Sequence, residues 1–428
     1  MLFRNSLYLA IFSLLSQVFG ILRDRLLAHY VGVGPTLDVY NAAFRIPDLV
    51  LGIMVSFAGA LTVIPFITKA IHENNKKDLE ERFSSLFIFF GTIMCVLAIL
   101  VVMLIPYFAK SVVPGFTTEQ ITSFIFYTRL LMIQPILLGL SALVSTLAQA
   151  RHQFFLYGSA PLVYTLGIIV SIIFGYEKYG LFAIILGVII GSFGHLLLQS
   201  LTLYHHSVRI SFSRFRWTLV KEQLIIAVPR SMSQVVSQLR MVFFTGFATT
   251  FGPGALSIYV FAQRITESVN QIISQSISTA NLPLLSSQYA LGDMPAYRST
   301  FKKNAVVIFS ITACAAVVCA ALSQVIVYVL YGKVGGAQEI AKLLSLMSIG
   351  LPLYAINGYF VTAFNAMKDT RTILVTNIVS TLFAIGVCFI FKEKGYGLMS
   401  IGYGTICMSL FYTLILFFLY SRKKHIVS

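Results

Sequence analysis

Charge is what this sequence has least of. Only 11% of its 428 residues are Asp, Glu, Lys or Arg, against 57% apolar residues, and the mean hydropathy is +0.86. No soluble globular chain of this length is so apolar. Strict alternation of apolar and polar residues is also missing, which excludes a membrane β-barrel. The five cysteines, Cys95, Cys314, Cys319, Cys388 and Cys407, all lie inside apolar runs and lack metal-ligand spacing. Neither a disulfide framework nor a metal centre is expected from them. There is no Walker A sequence, no loop large enough for a catalytic domain and no pair of acids in a loop. A transporter with no cofactor is therefore expected rather than an enzyme. The formal net charge of +16 does not point to nucleic acid, because membrane proteins collect Lys and Arg in their cytoplasmic loops.

What the chain has instead is long apolar runs. They fall near 7–31, 37–68, 83–108, 122–149, 154–175, 180–204, 222–250, 255–288, 303–330, 339–366, 371–391 and 397–421, each near the roughly 20 residues a helix needs to cross a bilayer. The expected fold is an all-α polytopic membrane protein with twelve transmembrane helices. No small-residue cleavage site follows Arg4, and Gln17, Arg23 and Asp24 continue the same helix, so a retained first span is expected rather than a signal peptide. Lys69, Lys76, Lys77, Arg82, Arg209, Arg214, Arg216, Lys221, Arg298, Lys302, Lys303, Arg422, Lys423 and Lys424 fall in alternate connections or at the C-terminus. The opposite connections hold only Lys110, Lys178, Lys333, Lys342, Lys392 and Lys394. That bias puts both termini in the cytoplasm.

The sequence also repeats. Tyr40-Asn-Ala-Ala-Phe-Arg45-Ile-Pro-Asp48 returns as Tyr259-Val-Phe-Ala-Gln-Arg264-Ile-Thr-Glu267. Ala148-Gln-Ala150-Arg-His152 returns as Phe364-Asn-Ala366-Met-Lys368, and Glu177-Lys-Tyr-Gly180-Leu as Glu393-Lys-Gly-Tyr-Gly397-Leu. Six helices separate the copies, so the repeats are parallel and are expected to enclose a central cavity. The expected organisation is an N-lobe over 1–204, a cytoplasmic linker over 205–221 that carries the single tryptophan, Trp217, and a C-lobe over 222–428.

A charge at the bilayer centre costs about 2.5 kcal/mol or more even on the lenient insertion scale, so intramembrane charges are functional candidates. Arg23, Arg45, Arg230 and Arg264 lie in the apolar segments with Asp24, Asp48 and Glu267, and Asp38 sits at an outer edge. No lysine lies deep in a span. Permanent charge and a planar donor fork suit recognition of an oxyanion. Helical spacing aligns Arg264, Glu267, Gln271, Ser274, Ser278 and Asn281 on one face, and Asn41, Arg45, Asp48, Gly52 and Ser56 on another. Gln17 belongs to a third stripe on the first segment. Against this stand plainer roles: serine stripes as packing between helices, Arg45–Asp48 and Arg264–Glu267 as self-neutralising pairs, and Gly20, Gly52 and Gly59 as packing positions.

Phe19-Gly20-Ile-Leu-Arg23-Asp24, Gly32-Val-Gly34, Asp38 and Ala43-Phe-Arg45-Ile-Pro47-Asp48 resemble the opening of the MurJ/MviN family. Tyr259, Ala262-Gln-Arg264 and Leu282-Pro283-Leu-Leu-Ser resemble its eighth helix. The resemblance implies a lipid II flippase of peptidoglycan synthesis, within the multidrug/oligosaccharidyl-lipid/polysaccharide exporter superfamily. It implies residence in the bacterial inner membrane and an undecaprenyl-linked glycan as substrate. Membrane lipids and cell-wall synthesis proteins are then the expected partners, and the expected state is a monomer. Arg23, Arg264 and Asp38 match residues important in that family. Gln17 and Leu51 stand where it commonly has arginines, and Arg45 where it often has lysine. Family chains usually carry fourteen helices, the last two helping to form a groove for the lipid tail, whereas twelve are legible here. The alternatives are a flippase for another lipid-linked oligosaccharide, a cation-coupled drug exporter of the same superfamily, and an inactive scaffold.

Overall fold

The structure, a computed structural model, describes residues 2–57, 60–73 and 75–426. Within them the side chains of 2–7, 9–10, 57, 60–62, 65, 69, 226, 228–230 and 423–426 are left undescribed. Among the described residues every regular element is helical. Large apolar side chains such as Met103, Phe174, Phe193, Val317 and Leu382 are exposed, the arrangement expected where the surrounding solvent is lipid. Among the described residues eight helices are long and apolar enough to span a bilayer, nine when one bent pair is counted as a single span. The protein is thus an all-α, multi-pass membrane protein. The three other segments expected to span, near 7–31, 222–250 and 255–288, are also helical.

Contacts divide the chain into two compact units, Met1–Gly246 and Phe247–Ser428. The first contains α1 (Leu2–Tyr30), α2 (Pro35–Ala43), α3 (Arg45–Phe57), α4 (Ala60–His72), α5 (Lys76–Val112), α6 (Thr118–Leu131), α7 (Ile133–Ala150), α8 (Phe154–Tyr179), α9 (Leu181–His205) and most of α10 (Trp217–Thr249). Repeat and compact unit are different divisions. By sequence α10 opens the second repeat, yet a Cβ at Gly52 of α3 would meet the Gln238 side chain of α10, and one at Gly246 would meet the Val112 carbonyl.

The expected second and fourth helices are each interrupted. Phe44 separates α2 from α3 and Met132 separates α6 from α7, but both keep right-handed helical dihedrals. The cause is local. Pro47 and Pro135 lack the N–H that would bond the carbonyls of Ala43 and Leu131, so the hydrogen-bond ladder breaks while the chain runs on.

α8 and α9 approach through glycine. A Cβ on Gly191 would lie 2.5 Å from the Tyr164 carbonyl oxygen, and one on Gly167 would lie 2.7 Å from the Gly191 Cα. Their connection is Gly180 alone, at φ 58° and ψ −146°, a region essentially restricted to glycine. α1 lies along α8, with Phe12 edge-on to Phe155 at 5.2 Å. The apolar core of this unit gathers Met54, Phe66, Phe83, Phe90, Met94, Leu143 and Leu147, and Val208 of the linker joins it.

The second unit contains α11 (Ala255–Asn270), a π turn (Gln271–Gln275), α12 (Ser276–Ala290), α13 (Met294–Ala321), α14 (Ser323–Tyr331), α15 (Ala337–Ile349), α16 (Leu351–Ala366), α17 (Thr370–Glu393) and α18 (Met399–Ile426). α15 and α16 meet at a 50° bend around Gly350, followed by Pro352. An aromatic core holds the unit. Phe301 stacks on Tyr359 at 5.0 Å and 5°, and the Tyr297 hydroxyl donates to the Ala363 carbonyl at 2.8 Å.

The duplication extends to the backbone. His152 and Lys368, matched in the repeat, both have positive φ, at 57° and 59°, and so do Gly180 and Gly397, at 58° and 55°. In each copy the residue after the left-handed cap donates its N–H back into the helix, Gln153 to the Ala148 carbonyl and Asp369 to the Phe364 carbonyl. Such paired outliers arise when two segments descend from one fold plan.

Gly191→Val should prise α8 from α9 and destabilise the detergent-solubilised protein by about 1–3 kcal/mol, visible as a lower thermal-shift midpoint. Gly20→Ala should leave that midpoint unchanged, because nothing lies within 4 Å of a Cβ there. Equal behaviour of the two variants would refute the close-packing account.

Candidate intramembrane cationic site

In the first unit the site is built on α1, α2 and α3. Arg23 and Asp24 are adjacent in α1, and the guanidinium folds back onto its neighbour: Nε and Nη2 donate to Asp24 Oδ1 at 2.9 and 2.8 Å. The Arg23 side chain retains 21% exposure and that of Asp24 only 9%. Tyr40 of α2 and Tyr164 of α8 lie within electrostatic reach of the same guanidinium. Gln134 of α7, buried, donates from Nε2 to the Tyr164 hydroxyl at 3.3 Å. Asp38 is buried in the first turn of α2, where the unpaired N–H groups of a helix start favour negative charge.

Two donors on the same stretch are left over. Asn41 is 5% exposed, and its Nδ2 has no hydrogen-bond partner among the described residues; neither has the buried Nε of Arg45. A buried donor without an acceptor costs about 1–3 kcal/mol, so the site retains unused capacity for an anion or polar ligand. Arg45 takes no part in the ion pairs Arg23–Asp24, Arg82–Asp78, Arg214–Glu80 and Arg216–Glu81. Asp48 and Gln17 are half-buried. Arg230 lies in α10, with its side chain outside the described residues. Gly52 is a packing position as expected, Gly20 faces open space, and Gly59 is outside the described residues.

In the second unit Arg264 and Glu267 are half-buried on α11, and Glu267 accepts from Gln263 Nε2 at 2.7 Å. The expected single polar face does not continue beyond them. The π turn at Gln271–Gln275 widens the helix and shifts the register of everything after it. Gln271 stays exposed, whereas Ser274 is buried and donates to the Ala355 carbonyl of α16 at 2.9 Å. Asn281 donates to the Ile277 carbonyl and accepts from Asn304. Ser274 and Asn281 thus serve helix packing in this structure.

Sequence reasoning missed Tyr164 and Gln134. They lie far along the chain from Arg23 on otherwise apolar helices, and no spacing rule links them to it. It also missed the π turn, for which the residues of that stretch offer no distinctive signal.

The fold is that of a multi-pass helical membrane protein, with an arginine–aspartate pair on its first helix. The chain belongs to the MurJ family, since the family model described as "Lipid II flippase MurJ" matches residues 27–428. It is 25% identical over 379 residues to the probable lipid II flippase MurJ of Rhizobium meliloti, covering 84% of this chain and 70% of that one. It is 24% identical over 448 residues to the lipid II flippase MurJ of Burkholderia cenocepacia, covering 99% and 84%. Among solved structures, the inward closed conformation of lipid II flippase MurJ superposes with a TM-score of 0.83 at 20% identity, covering 96% of this chain and 87% of that one. An inward-facing multidrug resistance MATE family transporter of the MOP superfamily superposes at 0.77 and 16% identity, covering 96% and 94%.

The pairing of Arg23 with Asp24 is testable by a double-mutant cycle. Arg23→Gln, Asp24→Asn and the double variant should give a coupling of about 1–3 kcal/mol in thermal stability. A coupling near zero would mean that the two side chains do not depend on each other.

Proposed function

We propose that this protein moves lipid II, the undecaprenyl-pyrophosphate-linked peptidoglycan precursor, from the inner to the outer leaflet of the bacterial cytoplasmic membrane by alternating access. Membership of the MurJ family across residues 27–428 carries this reading, and the intramembrane arginines give it a chemistry. Arg23, Arg45, Arg230 and Arg264 bind the pyrophosphate and nearby carboxylates of the headgroup. Gln17, Asn41 and Gln271 solvate sugar and peptide, while the polyprenyl tail stays in lipid. Asp24, Asp38, Asp48 and Glu267 orient the guanidinium groups and limit the net positive charge of the empty site. The repeats 1–204 and 222–428 act as the two rocking lobes, joined by 205–221, with both termini cytoplasmic.

The membrane potential is the driving force in this scheme, at about 2.3 kcal/mol per elementary charge per 100 mV. An empty cationic site is drawn toward the negative cytoplasmic side, and binding the anionic headgroup cancels that pull and permits opening outward. A cation-coupled drug exporter is less well supported. Its coupling needs a carboxylate free to take the cation, and the Asp24 carboxylate is held by Arg23.

Arg264→Ala and Arg23→Ala should each lower the flipping rate by roughly 10- to 100-fold, the worth of a charge-assisted hydrogen bond to the substrate; Arg264→Ala should keep normal expression, whereas Arg23→Ala should also lose thermal stability because Asp24 is left without its partner. Fluorescent lipid II in proteoliposomes and rescue of a strain depleted of its own lipid II flippase are the measurements. Wild-type protein that neither flips lipid II nor rescues the strain would exclude the substrate. Flipping indifferent to an imposed potential would remove the electrical step alone.

A further inference from the structure

The linker between α9 and α10 is held on one side and open on the other. At the start of α5, Glu80, Glu81, Ser84 and Ser85 form one helical face that grips the linker, Glu80 and the serines by its backbone and Glu81 by the Arg216 side chain. Glu80 Oε1 accepts from the Arg209 N–H at 2.9 Å. Ser84 Oγ accepts from the Ser211 N–H at 3.2 Å, and Ser85 Oγ from the Arg216 N–H at 2.9 Å. Both glutamates are buried, where a lone carboxylate is costly unless paired; Arg214 pairs with Glu80 and Arg216 with Glu81. Val208 seals the contact inside the apolar core.

Beside this grip the linker is apolar and basic, and Trp217 meets Phe89 of α5 edge-on at 5.5 Å. Phe212 is 81% exposed and Trp217 53% exposed, and Phe215 is exposed too. Arg209 and Lys221 are exposed, and neither takes part in the ion pairs that occupy Arg214 and Arg216. No Asp or Glu occurs between Glu177 and Glu222, so the strip carries uncompensated positive charge. His206 adds none at neutral pH, because burial, then Arg151 and His205, lower its imidazole below the ordinary range. The surface also continues a lipid-facing one. Ile190, Phe193, Leu197, Leu201 and Tyr204 are all exposed at helical spacing along the spanning helix α9, and this stripe leads directly into the linker.

We propose that the 205–221 linker is a membrane-surface strap. Clasped from behind by α5, it lays Phe212, Phe215 and Trp217 into the headgroup zone of the bilayer and sets Arg209 and Lys221 against anionic lipid phosphates. Aromatic side chains favour that zone because one end is apolar and the other wet, and basic residues there are attracted by the negative surface potential. A soluble protein partner fits less well, because the strip follows directly in sequence on an exposed apolar stripe of a helix long enough to span the bilayer. The strap goes beyond the flippase reading and does not depend on what the protein transports.

Trp217 is the only tryptophan, so its fluorescence reports on the strap directly. The wild-type protein is reconstituted into phosphatidylcholine vesicles with increasing fractions of phosphatidylglycerol, using chains brominated near the headgroup as quenchers. Trp217 emission is expected to shift blue and become strongly quenched as the anionic fraction rises, and added salt should reverse both changes. Each cation at an anionic surface favours docking about fivefold, so Arg209→Gln with Lys221→Gln should raise the phosphatidylglycerol fraction needed for half-maximal quenching severalfold. These exposed positions lie outside the proposed substrate site, so flipping should persist in the variant. Emission that stays water-like in all vesicles would overturn the proposal and favour a protein partner. Quenching equal in neutral and anionic vesicles, or insensitive to salt, would also overturn it, because no role would remain for the basic residues.

Discussion

A guanidinium inside a membrane protein must replace its lost water with fixed partners, and that constraint organises the first unit. Arg23 meets it by folding onto Asp24 with two charge-assisted hydrogen bonds, with the tyrosines of α2 and α8 nearby. Because Arg23 cannot deprotonate to escape the cost, the helices around it have to supply polar groups at that depth. Their placement in turn relies on close helix contacts, above all the glycine-lined seam between α8 and α9 that brings the Tyr164 backbone against Gly191.

Buried polar groups differ in how far the protein itself satisfies them. The Tyr297 hydroxyl, the Ser274 hydroxyl and the Asn281 amide all reach backbone carbonyls and behave as packing. Asn41 Nδ2 and Arg45 Nε reach none. A charge-binding site needs such reserve, because donors already spent on the protein cannot be offered to a pyrophosphate. The linker is held differently: Glu80, Ser84 and Ser85 of α5 accept from its backbone N–H groups, while Phe212, Arg209 and Lys221 stay exposed.

Much of this was legible in the chain. Length and apolarity of the runs sufficed for a multi-pass helical protein, since a bilayer leaves few other options for a polypeptide backbone. The repeat was legible too, and the residues it aligns, His152 with Lys368 and Gly180 with Gly397, share positive φ. Arg264 and Glu267 of the expected stripe lie half-buried on α11. Beyond them the π turn changed the register, and a rule based on 3.6 residues per turn has no means of anticipating that. The ladder breaks at Phe44 and Met132 followed from Pro47 and Pro135, although the long apolar runs concealed them.

Sequence alone determined the membrane setting, the twofold repetition and the presence of arginines where charge is expensive, because each depends on composition or local spacing. Tertiary structure alone decided which of those charges are held and by what. It brought Gln134 and Tyr164 to the α1 site, committed Ser274 to packing, and fastened the linker to Glu80, Glu81, Ser84 and Ser85. Partnerships between distant helices depend on how whole helices pack in three dimensions, and periodicity within one helix carries no information about that.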